Sequence, residues 1–178
     1  MLLKRPPAEK YQMLTVFSAE HGLLTVLQRL AAKPNPDAPQ LDWSFGSEQM
    51  AAARYYGVST ADTDDADAPQ PHVAPLWGVW RGDRVYFDGS PQTRWARNLA
   101  DHPAIAVHPP DAENVVIIEG VARLLSDAEL SAAEWAELDG AYAAKYGTQG
   151  SPHWVVEPRL VLAWAGVNLG TMTRWRFE

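Results

Sequence analysis

A chain of 178 residues with 47% apolar content has the material for one ordinary domain with a core, and its formal net charge of -7 opposes a polyanionic duplex as partner. It has no cysteine, which excludes disulfides, thiolate metal sites and cysteine nucleophiles and agrees with a reducing cytosol. No apolar run approaches the ~20 residues of a membrane span, and MLLKRPPAEK lacks the apolar stretch and cleavage site of a signal peptide, so the protein reads as cytoplasmic with no membrane partner.

In chain order, YQMLTVF alternates apolar and polar side chains like a strand, His21-Gly22 can turn, and LLTVLQRLAAK suits either a second strand or a helix. AAKPNPDAPQ, residues 31–40, reads as a linker because its prolines exclude helix and central strand. The chain therefore divides into an N-terminal appendage with linker, 1–40, and a main domain, 41–178. Asp42 or Ser44 can cap a short helix through SEQMAAARYY, YYGVSTA reads as a strand, and TDDADAPQP as an acidic exposed turn. PHVAPLWGVW follows as a ten-residue strand, RGD as a tight hairpin, and RVYFDG as the returning strand. TRWARNLAD forms a short helix, and AIAVH and NVVIIEGVARLLS form strands rich in branched residues. SDAELSAAEWAELDGAYAAKYG is the long amphipathic helix, with Ser126 as cap, Glu129 closing a capping box and Gly147 ending it. HWVVEPRLVLAWAGVN and TMTRWRFE supply the last strands. The pattern gives a mainly β domain with flanking helices, a six-stranded antiparallel barrel; βαβ alternation and G-x-G-x-x-G are both missing.

Catalytic constellations are weak. The histidines, His21, His72, His102, His108 and His153, have no metal-binding spacing, no G-x-S-x-G supports a hydrolase, and the acidic stretch lacks the glycine and distal glutamate of a calcium loop. No metal and no catalytic side chain is assigned. Each of the eight tryptophans, taken singly, reads as packing. One segment stands out, PQTRWARNLADHPAIAVH. A helix that begins Thr93-Arg94-Trp95 after a hairpin offers N–H groups, a hydroxyl and a guanidinium to a phosphate, whereas Arg94 and Arg97 can equally pair with Asp88, Asp101 or solvent.

PHVAPLWGVWRGDRVYFDGSPQTRWARNLADHPAIAVH followed by NVVIIEGVA resembles the pyridoxamine 5'-phosphate oxidase-like superfamily of split β-barrel flavoproteins, and the likeness runs from LDWSFGSEQMAAARYYGVST to the final TRWRF. The resemblance implies a split barrel that binds FMN or the deazaflavin coenzyme F420 at the interface of a homodimer and transfers hydride to an unidentified small molecule. Under it, His72, Val73, Ala74, Pro75, Leu76, Trp77, Gly78 and Val79 line the ring, and Tyr86, Phe87 and Asp88 continue that wall. Thr93, Arg94, Trp95, Arg97 and Asn98 stand at the phosphate, and Arg174 and Trp175 reach toward the partner's cofactor. Trp95 replaces a lysine common in the family pattern, and Ala74 stands where the pyridoxamine phosphate oxidases proper have an arginine, so the resemblance points to another substrate. No acid or base is required of the protein because the cofactor carries the hydride.

A second, shorter likeness links LLKRPPAEKYQMLTVFSAEHGLLTVLQRL to the opening strands of the RecO oligonucleotide-binding domain, over too few residues to close such a barrel. The readings are thus an oxidoreductase, a non-catalytic module that sequesters a flavin, haem or tetrapyrrole, and a single-strand nucleic-acid module that the charge of -7 opposes.

Overall fold

The computed structural model describes residues 3–4, 11–18, 22–29, 40–62, 70–148, 150–166 and 169–177. Most of the expected linker and of the acidic turn lies outside them. The chain forms two compact units, Met1–Ala38 and Pro39–Glu178. In the first, β1 (Leu3–Lys4), β2 (Tyr11–Ser18) and β3 (Gly22–Arg29) make an antiparallel sheet in that order. The segment open to either helix or strand is therefore a strand, paired from Tyr11↔Arg29 to Ser18↔Gly22.

The second unit begins with α1 (Trp43–Ala52), then β4 (Tyr56–Asp62), β5 (Gln70–Leu76), β6 (Gly78–Arg81), β7 (Arg84–Phe87) and α2 (Arg94–Asp101). It continues with β8 (Ala104–His108), β9 (Val115–Leu124), α3 (Ala132–Tyr146), β10 (Trp154–Trp164), a short 3-10 turn at Leu169–Thr171 and β11 (Thr173–Arg176). The strands pair antiparallel in the order β5-β4-β8-β9-β10-β7-β6, with β11 added to β10. The two ends of that order, β5 and β6, are halves of one strand, 70–81, interrupted only at Trp77. This bent strand pairs with β4 through Tyr56↔Leu76 and with β7 through Gly78↔Phe87, so it curls the sheet back on itself. Taking it as one strand leaves the six of the expected split barrel, with β11 as an addition.

Alternation along the strands separates two cores. On β10, Trp154 and Val156 face the barrel interior with Phe87, Ile118 and Met50, while Val155 faces outward. Val155, Val79 and Tyr86 are covered by Leu138 and Tyr142 of α3. The interior is closed at one end by α2, whose Trp95 and Leu99 enter the core and whose Asn98 Nδ2 donates to Thr60 Oγ1 of β4 at 2.9 Å.

Three local expectations are corrected. The first helix runs 43–52 rather than 47–56: Ala53 is already extended, and Tyr56 is needed in register opposite Leu76. The long helix starts at Ala132, not after Ser126. The sequence holds two S-x-x-E motifs, and only Ser131–Glu134, followed by the periodic Trp135, Leu138 and Tyr142, forms the capping box of a helix. Ser126–Glu129 closes an isolated turn, with the Glu129 carboxylate bonded to the Ser126 N–H and to Arg123. The strand expected to be continuous over 71–80 is broken at Trp77. The hairpin after it holds as a tight turn, with Gly82 at φ 54° and Asp83 at φ 59°, the left-handed pair that matches strand twist. The Asp83 carboxylate accepts the Trp43 indole N–H at 3.0 Å.

Candidate functional site

The residues singled out in the sequence divide by exposure. Along β5, Ala74 and Leu76 pack against the barrel interior and His72 is half-buried, whereas Pro71, Val73 and Pro75 face outward, Val73 with 63% of its surface exposed. Backbone polarity alternates like the side chains: in an antiparallel ladder, N–H and C=O of one residue point to the same side. Proline is tolerated on an edge strand where its missing N–H faces outward. Pro71 and Pro75 fit the open edge on that rule, which leaves Val73 between them as the outward N–H donor. Trp77 follows, 43% exposed, its indole stacked on the Tyr146 ring at 4.5 Å and 5°. Gly78 and Val79 are buried.

Beyond the hairpin, Tyr86 belongs to the core under α3 and Phe87 to the barrel interior. Asp88 is exposed, and its carboxylate accepts the Gly89 N–H at 2.7 Å. The loop into α2 is a turn in which Thr93 N–H and hydroxyl both donate to the Ser90 carbonyl, at 3.0 and 2.8 Å. Thr93 occupies the N-cap position with extended backbone. Arg94 and Arg97 are exposed on the first turn, and Arg97 Nη1 donates to the Gln92 carbonyl at 2.6 Å. The N–H groups at such a helix start together with two guanidiniums form an anion-compatible corner. The helix that bears this corner packs on β4 and β5. On β11, Arg174 is exposed and Trp175 is half-buried with its ring edge-on to Trp43 at 5.2 Å.

The side chains of Phe87, Trp95 and Asn98, expected at the ligand, are turned inside the barrel, and those of Val79 and Tyr86 are buried under α3. Trp95 keeps only 4% of its surface and meets Phe87 and Trp154 edge-on at 5.3 and 5.6 Å. The indole at the family's lysine position is a core residue and does not face the Arg94–Arg97 corner.

A cluster that sequence reasoning missed surrounds the strand break. Lys145 Nζ donates to the Gly78 carbonyl at 2.7 Å and lies 3.3 Å from the Tyr56 hydroxyl, which itself donates to the Met50 carbonyl at 2.7 Å. Burial, and behind it the Arg54 charge, pushes the Lys145 amine down to about 8. Burial pushes the Tyr56 phenol well up. One signal was in the sequence: Lys145 is the sole lysine of residues 39–178. Among the described residues no group of three His, Asp or Glu side chains could hold a metal ion, and no helix is long and apolar enough to cross a membrane.

A family model described as pyridoxamine 5'-phosphate oxidase matches residues 47–165. The chain belongs to the pyridoxamine 5'-phosphate oxidase family. The match runs from within α1 to just past the end of β10 and leaves out residues 1–46 and 166–178. Proteins of known structure share the fold at low identity. General stress protein 26 from Bacillus anthracis str. Sterne is 14% identical with a TM-score of 0.55, over 75% of this chain and 97% of that one. A conserved hypothetical protein from Mycobacterium tuberculosis is 14% identical with a TM-score of 0.53, over 82% of this chain and 90% of that one. A heme binding protein from Mycobacterium smegmatis is 25% identical with a TM-score of 0.56; the match covers 76% of this chain but spans only 58% of that longer one. No curated protein matches the chain.

Proposed function

We propose that the protein is a flavin- or deazaflavin-dependent oxidoreductase of this family, binding FMN or F420 and acting on a small molecule in the cytoplasm. The observation that carries the reading is the corner formed by Thr93, Arg94 and Arg97 at the start of α2, a helix packed on β4 and β5, in a family of oxidases. The residues present suit such a group. Two guanidiniums and helix N–H groups match a phosphate, Val73 and Pro75 give an apolar wall, and the outward Val73 N–H suits the polar edge of the ring. The cofactor, when bound, supplies the hydride chemistry, which is why no acid or base constellation is required. The chain's own part is to hold the phosphate, orient the ring and keep water from one of its faces.

A homodimer belongs to the same reading. The outward faces of β4 and β5 carry Gly57 beneath the His108 ring, Ser59, Ala61, Pro71, Val73 and Pro75, a surface of mostly small and apolar side chains that a second copy would cover.

The test is parallel titration with FMN, F420 and riboflavin, read by tryptophan quenching and by sedimentation of the complex. The reading expects saturable quenching by FMN or F420, with riboflavin weaker for want of the phosphate. No binding by any of them after reconstitution would overturn it. A second reading, a non-catalytic tetrapyrrole-binding module, is favoured by the likeness to the heme binding protein. Haem titration, and a hydride-transfer assay with the reduced cofactor, separate the two.

A further inference from the structure

Gly78 lies where strand 70–81 leaves β4 and joins β7, and a strand that changes partner leaves backbone polar groups in need of new ones. Two consecutive residues in the last turn of α3 supply them. The Tyr146 hydroxyl accepts the Gly78 N–H at 2.8 Å and donates its one hydrogen to the Arg54 carbonyl at 2.6 Å, with the Gly78 carbonyl, 2.8 Å away, as alternative acceptor. Lys145 Nζ takes the Gly78 carbonyl at 2.7 Å and reaches the Tyr56 hydroxyl. No side chain fits on residue 78 itself, since a Cβ there would lie 2.8 Å from the Tyr86 carbonyl and 3.2 Å from the Tyr56 ring. The position beside it is held as well, because Trp77 is stacked flat on Tyr146.

The choice of lysine is informative. The barrel unit uses arginine at every other basic position, and has lysine only here. A guanidinium presents donors in a planar fork, whereas an ammonium donates from a single atom in several directions, as contact with both the Gly78 carbonyl and the Tyr56 hydroxyl demands. The ammonium also lies over the Tyr56 ring, 4.6 Å from its centroid.

We infer that Lys145 and Tyr146 are positioning residues: from the end of α3 they grip both backbone polar groups of Gly78 and so set the bend that aims the exposed half of strand 70–81. What that half carries rests on the flavin reading above; the grip itself does not. Strength of grip depends on the charge of Lys145, since burial and the Arg54 charge disfavour the ammonium there, and release into solvent is easier for the charged form than for the neutral amine, which still has N–H groups to donate. The groups facing that charge are Arg54, Tyr56 and Tyr146, with Tyr55 next to Arg54. Among the described residues no carboxylate pairs with it. With the amine at about 8 in the gripped state, against an ordinary 10.5, the grip tightens as pH rises above 8, a range in which a flavin titration is readily made.

The experiment compares Lys145→Met, Lys145→Arg and Tyr146→Phe with the unaltered protein, full chain in each case. The first readout, made without ligand, is the protection of the Gly78 amide against hydrogen exchange as a function of pH, by glycine-selective NMR. The unaltered protein should gain protection as pH rises through about 8, on the order of ten-fold. K145M should show the low protection at every pH, K145R should show no step, and Y146F should lose protection while keeping the Trp77 stack. The second readout is the dissociation constant for FMN over the same pH range, with the step present in the unaltered protein and absent in K145M. A merely structural role would lower the melting temperature of K145M and leave the pH step in place, and that result overturns the inference. Unchanged Gly78 protection in both K145M and Y146F overturns it too. If no flavin binds any form, the flavin reading falls, while the exchange data still decide the grip.

Discussion

Trp95 meets Phe87 edge-on, ring centroids 5.3 Å apart, and meets Trp154 in the same manner at 5.6 Å. This triplet fills the barrel beneath α2 and ties the helix that bears Arg94 and Arg97 to β7 and β10. Replacing Trp95 by alanine should cost about 3–5 kcal/mol, the range for loss of a large buried aromatic. Replacing it by lysine, the residue common at this position in the family, removes the same ring contacts and adds an ammonium to an apolar site. W95K is therefore expected to unfold at lower urea than the unaltered protein and to gain no affinity for FMN. Tighter FMN binding at undiminished stability would show that the position faces the ligand.

At the strand break, Gly78→Ala puts a methyl against the Tyr86 carbonyl, a backbone atom that cannot move without disturbing the β6–β7 ladder. A loss of about 1–3 kcal/mol is expected in urea unfolding. Tyr86 is flanked in the ladder by Phe87, so the same change should also blue- or red-shift emission from the neighbouring Trp95 and Trp154 cluster.

Stability should rise and then fall across the alkaline range. Lys145 titrates at about 8 in the folded chain against an ordinary 10.5, so between these values the unfolded chain holds more protons and stability climbs with pH. Tyr56 is displaced the other way by burial, as are Tyr142 and Tyr146. Above their ordinary value of 10.0 the unfolded chain gives up these protons first, and stability declines. Urea midpoints from about pH 7 to about pH 11 would trace this ridge. K145M should flatten the rise and Y56F should soften the fall.

Arg94→Gln and Arg97→Gln test the anion corner. Each should weaken FMN binding by about ten-fold or more, the scale of a charge-assisted contact, and leave riboflavin binding nearly unchanged. The salt dependence of FMN affinity should flatten in both variants. Equal losses for FMN and riboflavin would mean that the arginines support the loop rather than the phosphate.

Much of the domain was legible because its signals are local. Alternation marked β7, β8 and β9, Gly82-Asp83 marked the hairpin, and the likeness of motifs in order supplied the split barrel and family. What escaped depends on contacts distant in sequence. Nothing in T-R-W-A-R-N distinguishes an indole facing solvent from one facing Trp154, nearly sixty positions later. Two S-x-x-E motifs are equivalent as text, and only the apolar spacing after Ser131 and the pull of Arg123 on Glu129 separate them. The break at Trp77 is invisible in PHVAPLWGVW because its cause lies on α3, where Lys145 and Tyr146 wait for Gly78.

A strand that serves both ends of its own sheet has a dynamic consequence. Peeling β5 from β4 must drag on β6, and through it on β7, although β4 and β7 stand far apart in strand order. The two margins of the sheet, where fraying normally begins independently, are made into a single cooperative opening unit. The barrel has in effect one place to come undone rather than two, and that place is pinned by the end of α3.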